Sequence, residues 1–348
     1  MRYAINGLGR IGRALLRILW ERNIDSCVFI NDVFMDIDNV CYLLKYDSLH
    51  GPFKGNVTSD DQHIIIFDES RMWKIKMLNW GNSKNFRQNE CSIDLLVEAT
   101  GNEENFTSIK YLSDSGFCKQ GIITYAHEPT DFSLIIGVND KHLNFEKHKL
   151  ISTSICDVTA LAPVLKIVNE DFGIESCFIT SLHPWLSYQN VLDGPVRSQQ
   201  YASKSYNFYH LGRMSTEALI PKTTTMGSIL PKILPELAGK LITYSYRVPT
   251  SKVCSADISL ILERPVSKEK MIDFLKTLSS DIISVNEEKL ISTDFGGSAV
   301  SCIIDLNWVE VNKNMLKLVL WYDNEWGYSS RVADAIVLYK NYIGGNNL

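Results

Sequence analysis

The chain has 348 residues, of which 45% are hydrophobic and 22% charged, and its formal net charge is -5. A chain of this length and apolar content can bury a large core and is long enough for two domains. Acidic and basic residues are intermixed without a long like-charge run, which argues against nucleic acid or an anionic membrane as a partner. No apolar stretch approaches the ~20 residues of a membrane span, and a strand-like run begins near the first residue, so we expect a cytoplasmic protein.

The first informative element is a glycine-rich turn near the amino terminus. The apolar run Tyr3-Ala4-Ile5 leads into a G-x-G-x-x-G sequence, and an amphipathic helical pattern follows. A strand, this turn and a helix in that order are typical of dinucleotide-binding proteins, because the glycines let pyrophosphate approach the start of the helix. The predicted cofactor-binding residues of the turn are Gly7, Gly9, Arg10, Ile11 and Gly12.

The next strand-like run, residues 27–31, ends at Asp32. That position lies at about the 20-residue distance at which dinucleotide-binding proteins place an acidic residue. A carboxylate there hydrogen-bonds the ribose hydroxyls and repels a 2′-phosphate. The pattern therefore favours NAD over NADP as the cofactor, with Asp32 at the adenosine ribose.

The alternation of strands and helices changes character at about residue 156. Before it, helical runs alternate with short and often continuously apolar strand-like runs at 3–6, 27–31, 94–99, 121–125 and 134–138. After it, runs at 179–182, 241–246, 256–262 and 316–321 are longer or partly alternating. The sequence predicts an α/β fold: a doubly wound Rossmann domain at 1–155, joined by a C-terminal helix at about 325–348, and an α+β catalytic domain with a mixed or antiparallel sheet at 156–324.

The eight cysteines show no CxxC spacing, which fits reduced thiols better than disulfides or a zinc site. Cys156 stands apart because its sequence context opens a helix, and His183 follows on the next extended segment. Unpaired amide groups and the macrodipole at a helix start favour a thiolate. We predict that Cys156 is a nucleophile, interpret the other seven cysteines as core residues, and predict no metal site.

Several collinear blocks resemble one family, the phosphorylating glyceraldehyde-3-phosphate dehydrogenases and the related erythrose-4-phosphate dehydrogenases. The blocks cover the glycine turn, residues 45–51, Glu98-Ala99-Thr100-Gly101, Gly137-Val138-Asn139, the Cys156 segment, 234–237, 246–250 and 321–329. Semialdehyde dehydrogenases share this architecture, but the segments around Arg247 and Asn324 are similar to the sugar-phosphate enzymes instead.

The resemblance implies an NAD-dependent dehydrogenase of a sugar-phosphate aldehyde that acts through a thioester. Cys156 would attack the aldehyde, and His183 would hold the thiolate and take the hydroxyl proton. Asn324 would hold the nicotinamide carboxamide, and Thr100 and Gly101, at the end of a parallel strand, would line the nicotinamide site. The family also implies a homotetramer, although residues 193–213 form a longer excursion than in the relatives.

The residues that would bind phosphate groups are partly retained and partly replaced. Arg247 matches the substrate-phosphate site, and Arg213 and Thr224 match the inorganic-phosphate site. The replaced positions are Leu186 and Tyr188 beyond the histidine, and Ile155 and Asp157 beside the cysteine.

Asp157 bears on how the acyl group is released. A carboxylate beside the cysteine would repel phosphate and oppose thiolate formation. In a second interpretation, Asp157 points to solvent and only complements the helix dipole. The resemblance therefore leaves open whether inorganic phosphate or water cleaves the thioester.

Three functions follow from this pattern. The first is a phosphorylating glyceraldehyde-3-phosphate dehydrogenase, supported by the retained residues. The second is a hydrolytic oxidation like that of the erythrose-4-phosphate branch, suggested by Leu186 and Asp157. The third is an NAD-binding protein with a regulatory or scaffold role, suggested by the replacements around Cys156. Dependence of activity on inorganic phosphate distinguishes the first two.

Overall fold

The computed structural model describes residues 1–88, 92–196 and 208–345. They divide into two compact units. Unit 1 comprises Met1–Leu134, Asp140–Ser154 and the chain from Ser329 onward, and unit 2 comprises Ile135–Asn139 and Ile155–Tyr328. Cys91 and much of the predicted excursion at 193–213 lie outside the described residues.

Unit 1 contains a nine-stranded sheet in the order β3-β4-β5-β2-β1-β6-β7-β9-β8. Its strands are β1 Tyr3–Asn6, β2 Cys27–Asn31, β3 Asn56–Ser59, β4 His63–Phe67, β5 Met72–Leu78, β6 Ile93–Glu98, β7 Cys118–Ile123, β8 Phe132–Ser133 and β9 Leu150–Ser152. Its helices before residue 154 are α1 Arg10–Glu21, α2 Ile37–Lys45 and α3 Asn105–Asp114. Strands β5-β2-β1-β6-β7-β9-β8 are parallel, and β3 and β4 add an antiparallel edge.

The central strands are apolar because both of their faces are covered. Strand β1 is buried at every position, and β6 is buried at all but one. Such strands read as continuous hydrophobic runs rather than alternating ones. The predicted doubly wound sheet is confirmed.

The predicted strand at 134–138 is wrong. The chain turns there: Gly137 has φ +82°, and the Asn139 side chain accepts a hydrogen bond from the Ile135 amide at 2.8 Å. A side chain that satisfies the backbone in this way competes with strand pairing. The paired strand in this region is the short β8, which ends before Leu134.

Unit 2 contains a mixed eight-stranded sheet in the order β11-β12-β10-β13-β17-β15-β14, with β16 paired to β17. Its strands are β10 Ile174–His183, β11 Ile220–Lys222, β12 Leu241–Arg247, β13 Cys254–Leu262, β14 Ile283–Asn286, β15 Cys302–Asp305, β16 Glu310–Asn312 and β17 Met315–Tyr322. Its helices are α4 Cys156–Phe172, α5 Met226–Ile233 and α6 Lys268–Lys276, and α7 Trp326–Ile343 begins in this unit. Helix α4 packs in the hydrophobic core with residues of β10, β13 and β17.

The mixed sheet of unit 2 confirms the predicted α+β character of the second part of the chain. Alternation is clearest in β17, where every second residue is buried. Within residues 1–88, 92–196 and 208–345, none of the helices combines the length and apolar character that a membrane crossing requires.

Candidate functional site

The glycine turn of unit 1 joins β1 to α1, and two of its three glycines meet a steric constraint. Gly7 has φ +97°, and a Cβ there would lie 2.7 Å from the backbone nitrogen of Thr100. A Cβ on Gly12 would lie 2.1 Å from the carbonyl oxygen of Gly7. A Cβ on Gly9 would meet nothing within 4 Å. Gly7 and Gly12 are therefore required by the fold, whereas Gly9 leaves open space.

The start of α1 has no side-chain cap and suits an anion. Gly9 is its N-cap and has no side chain to accept a hydrogen bond. The N-terminal amides and the positive end of the helix dipole then face the space beside Gly9, which suits a pyrophosphate. Ile11 is half-buried, and the Arg10 guanidinium contacts the Asp47 carboxylate, with Nη2 3.1 Å from Oδ1. Arg10 is thus already bound to an internal partner.

Asp32 lies at the carboxyl end of β2, beside the turn. Its Oδ2 accepts a hydrogen bond from the Leu8 amide at 2.8 Å, and its Oδ1 accepts one from the Phe34 amide at 2.9 Å. The side chain keeps acceptor capacity because each carboxylate oxygen has two lone pairs. This arrangement fits the predicted contact with a ribose and fixes the carboxylate against the glycine turn.

A buried carboxylate that the sequence interpretation missed lies behind the predicted nicotinamide residues. Glu98 is fully buried at the end of β6 and accepts hydrogen bonds from Asn6 and from the backbone amide and hydroxyl of Thr100. Burial raises the pKa of Glu98 to about 7, although these hydrogen bonds oppose the rise. Gly101 follows with φ +70°, a conformation that suits glycine. Glu98 therefore fixes the backbone of Thr100.

Cys156 is the first residue of α4, as the sequence predicted for a cysteine that opens a helix. Ser154, the last residue of its segment of unit 1, lies two residues earlier and has φ +61°, an uncommon conformation for serine. The N-cap residue Ile155 is extended and provides no side-chain hydrogen bond. The first amides of α4 therefore have no side-chain cap, and the thiol is partly buried at the helix start.

Asp157 lies between the thiol and the imidazole of His183. Its Oδ1 accepts hydrogen bonds from the Cys156 thiol at 3.5 Å and from the Tyr322 hydroxyl at 2.9 Å, and it lies 2.9 Å from His183 Nε2. The ligand-type atoms of Cys156, Asp157 and His183 all lie within 4.8 Å of one another. The interpretation that Asp157 points to solvent is wrong, since the residue is only 4% exposed.

The electrostatics of this cluster differ from the sequence expectation. Burial opposes ionisation of Asp157, but the adjacent His183 and the hydrogen bonds from His183 and Tyr322 hold the pKa of Asp157 well below its ordinary value. Burial and then the Asp157 carboxylate raise the pKa of the Cys156 thiol well above its ordinary value, while Arg247 opposes that rise. The expected stabilisation of a thiolate by the helix start is thus countered by the residue that follows it.

The other ring nitrogen of His183 contacts a second thiol. Nδ1 lies 3.2 Å from Cys254 Sγ, and Ser181 Oγ lies 3.2 Å from Nε2. Cys254 is a buried core residue, as predicted, and it also contacts the imidazole and orients it. Cys254 begins β13, which pairs antiparallel with β10, and only this register brings it to His183. Cys27, Cys41, Cys118, Cys177 and Cys302 are buried free thiols, as predicted.

The residues predicted to bind phosphate fall into two places. Arg247 pairs with His183 in the sheet, and only 8% of its surface is exposed; its Nη1 donates to the Pro184 carbonyl at 3.3 Å. Thr224 donates to Asp157 Oδ2 at 3.5 Å. Arg213 does not join this contact network: its side chain is 68% exposed and its Nε lies 2.7 Å from Asp193.

Three of the four replaced positions are half-buried, whereas Asp157 is buried. The half-buried positions are Ile155, Leu186 and Tyr188. Asn324, also half-buried, lies between β17 and α7. Capping there is done by Asp323, whose Oδ1 accepts from the amides of Glu325 and Trp326 at 2.9 and 2.8 Å. The Asn324 amide is therefore not needed as a cap.

Comparison with known proteins matches both parts of the chain to one family. The model described as glyceraldehyde 3-phosphate dehydrogenase, NAD binding domain, matches residues 1–105, and that of the C-terminal domain matches residues 155–324. Glyceraldehyde-3-phosphate dehydrogenase 1 of Kluyveromyces marxianus is 34% identical over 96% of this chain and 98% of its own length. Glyceraldehyde-3-phosphate dehydrogenase 4 of Caenorhabditis elegans is 35% identical over 95% and 96%. Glyceraldehyde-3-phosphate dehydrogenase 1 of Saccharomyces cerevisiae is 33% identical over 97% and 98%.

Proposed function

Because this chain belongs to the glyceraldehyde-3-phosphate dehydrogenase family, we propose that it oxidises glyceraldehyde 3-phosphate with NAD through a thioester on Cys156. The observation that carries the proposal is the cluster in which Cys156, at the start of α4, lies within 4.8 Å of Asp157 and His183. The family match favours this activity over a hydrolytic enzyme or a catalytically silent NAD-binding protein.

The cofactor is NAD, and the residues of unit 1 fit it. The open space beside Gly9 and the uncapped start of α1 suit a pyrophosphate, and Asp32 suits a ribose without a 2′-phosphate. When bound, NAD supplies the hydride acceptor that turns the hemithioacetal into a thioester. The roles of Thr100 and Gly101 at the nicotinamide, and of Asn324 at its carboxamide, are part of the proposal.

Cys156 supplies the nucleophile and His183 the base. In the geometry described, the thiol donates to Asp157 Oδ1, and His183 Nε2 is bound to the same oxygen. The Cys156 proton therefore leaves toward the Asp157–His183 pair as sulfur attacks the aldehyde carbon, and the pair passes this proton to the carbonyl oxygen, which becomes the hemithioacetal hydroxyl. His183 then takes the hydroxyl proton of the hemithioacetal, with Cys254 holding Nδ1 and fixing the ring.

Arg247 is proposed to bind the substrate phosphate, because a buried guanidinium retains N–H donors that the Pro184 carbonyl does not occupy. Inorganic phosphate is proposed to release the acyl group, with Thr224 beside Asp157 as one contact. Arg213 would join that site only by exchanging its contact with Asp193.

The test is NADH formation by the purified protein with NAD and glyceraldehyde 3-phosphate, with and without inorganic phosphate, and with erythrose 4-phosphate in parallel. We expect steady turnover with glyceraldehyde 3-phosphate only when phosphate is present, and a stoichiometric burst when it is absent. The matched control is Cys156→Ser, which should give no burst, beside Cys302→Ser, which alters a buried thiol of β15 and should retain it. Steady turnover without phosphate would show release by water.

We also propose a cytoplasmic homotetramer. The register of β10 with β12 places Phe178 beside Ile242, and the next outward-facing residues of β12 are Tyr244 and Tyr246; all four are between 36% and 62% exposed. Apolar side chains side by side on an exposed sheet face are typical of a subunit interface. Sedimentation equilibrium tests this assembly, and Tyr244→Glu should weaken it.

A further inference from the structure

Lys222 is a half-buried cation in unit 2 that the proposed mechanism has not used. It is the last residue of β11, and its ammonium is in electrostatic reach of Asp157, Cys156, Cys254 and Arg247. Among the residues that the structure describes, no carboxylate forms an ion pair with it. Burial and the nearby Arg247 lower the pKa of Lys222, while Asp157 opposes that change.

Strand register explains why Lys222 faces the site. In the antiparallel pair of β11 and β12, Ile220 lies opposite Arg247 and Lys222 opposite Ser245. In the parallel pair of β10 and β12, Arg247 lies beside His183. Residues directly opposite each other in a sheet project from the same face. Lys222 therefore lies one row from Arg247 and His183, on the same face of the sheet.

A second observation points to a ligand at this position. The hydroxyl of Ser245, next to Lys222 in the sheet, is buried and has no hydrogen-bond partner in residues 1–88, 92–196 and 208–345. Buried hydroxyls are normally hydrogen-bonded. An unsatisfied donor beside an ammonium without an ion-pair partner suits an anion.

The charges of the cluster determine which anion fits. Asp157 contributes one negative charge beside Cys156, and Lys222 and Arg247 contribute two positive charges. Lys222 thus offsets the repulsion that the Asp157 carboxylate would exert on a phosphate. The uncapped amides at the start of α4 add further donors.

We propose that Lys222 is a phosphoryl-binding residue of the active site, which compensates for the carboxylate of Asp157. The proposal rests on the function given above. Its ligand is a phosphoryl dianion, either inorganic phosphate or the phosphate group of the substrate, and these share the chemistry that an ammonium and a hydroxyl recognise.

The test compares Lys222→Met, which keeps an unbranched side chain one atom shorter and removes the charge, with Lys222→Arg, which keeps the charge. Lys268→Met is the matched control, because Lys268 lies on α6 in an exposed ion pair with Glu310 and its loss changes the net charge equally. The KM for inorganic phosphate and the KM for glyceraldehyde 3-phosphate are measured separately. Thermal unfolding of each variant shows whether the fold is retained.

In Lys222→Met, one of the two KM values should rise by about tenfold to a hundredfold, the effect of losing a hydrogen bond to a charged group. A rise for inorganic phosphate identifies the acyl-releasing anion as the ligand, and a rise for glyceraldehyde 3-phosphate identifies the substrate. Lys222→Arg should stay within about fivefold of the wild type. Values within twofold of the wild type for both ligands, or an equal rise in Lys268→Met, would overturn the proposal.

A second readout does not depend on turnover. Inorganic phosphate, added to the unmodified protein, should slow the alkylation of Cys156 by iodoacetamide, and this protection should be lost in Lys222→Met. If the wild type gives no NADH burst with glyceraldehyde 3-phosphate, the proposed function fails while the protection assay still tests Lys222. If the burst is present but both KM values and the protection are unchanged in Lys222→Met, only the role of Lys222 fails.

Discussion

Replacing Asp157 by asparagine should make Cys156 more reactive. The Asp157 carboxylate accepts a hydrogen bond from the Cys156 thiol, with Sγ 3.5 Å from Oδ1, and is one reason that the pKa of this thiol is raised. Asparagine keeps the size of the side chain and an oxygen that can accept from Tyr322, but it removes the negative charge. His183 is then free to stabilise the thiolate instead of the carboxylate.

The size of the effect follows from the distances. Two unit charges 3.5 Å apart interact by about 4–5 kcal/mol at an effective dielectric constant of ~20. Because Cys156 is only partly buried, solvent screens most of this repulsion, and we expect a gain of about 1.4 kcal/mol on removing the carboxylate, which is a tenfold higher thiolate-to-thiol ratio.

The assay is the rate of Cys156 alkylation by iodoacetamide as a function of pH, followed by mass spectrometry of the peptide. A thiolate of lower basicity is less nucleophilic, so a tenfold gain in thiolate becomes a rate gain of about threefold at pH 7. The midpoint of the pH profile should move to lower pH. The control is Asp171→Asn, which removes one exposed charge from the last turn of the same helix. An unmoved profile, or slower alkylation, would refute the role given to Asp157.

Three further predictions concern the other parts of the site. Gly9→Ala should fold as the wild type but bind NAD at least about tenfold more weakly in a fluorescence titration, because the added methyl group would occupy the space proposed for the pyrophosphate. Gly12→Ala should lower the melting temperature, since its Cβ would clash with the Gly7 carbonyl. The pKa of Glu98 is raised to about 7, so between pH 4.5 and about 7 the folded protein keeps a proton that the unfolded chain loses. The free energy of unfolding of the wild type, measured by urea titration, should therefore fall by about 3 kcal/mol over this range relative to that of Glu98→Gln. Cys254→Ser should keep kcat within about threefold because its hydroxyl still meets His183, while Cys254→Val should lower kcat at least about tenfold.

A specific result would contradict the predictions for Gly9, Glu98 and Cys254. Unchanged NAD affinity in Gly9→Ala would mean that the space beside this glycine is not where the pyrophosphate binds. Parallel pH dependences of the wild type and Glu98→Gln would mean that Glu98 is ionised in the folded protein at low pH. An undiminished kcat in Cys254→Val would show that the imidazole needs no partner at Nδ1.

The nucleotide-binding half could be predicted from the sequence because its signals are local. Gly7 and Gly12 satisfy backbone requirements within one turn, Gly9 leaves open space beside the helix start, and Asp32 follows at the end of the next strand. The parallel strands are continuous apolar runs because both faces are buried. The strand predicted at residues 134–138 was wrong, because the Asn139 side chain satisfies the backbone of a turn there. An apolar run does not indicate such a turn.

The chemistry of the cysteine site was predicted only in part. Cys156 at a helix start and His183 on the following strand were identified from the sequence, and α4 and β10 confirm those placements. The direction of the Asp157 side chain was not identified from the sequence, since an acidic residue in the first turn is favourable with the helix dipole whether it faces solvent or the site. Burial between His183 and Tyr322 decided between these two directions.

The sequence by itself determined the fold class, the family, the cofactor and the residues proposed as nucleophile and base, because short motifs and hydrophobic periodicity carry this information. Only the tertiary structure decided which groups surround the nucleophile. Three residues that are distant from Cys156 in the chain reach the site through strand pairing: Cys254 through β13 with β10, Lys222 through β11 with β12, and Tyr322 through β17 with β13. Strand register is set by the packing of whole sheets, and one residue of slip would turn each of these side chains to the opposite face.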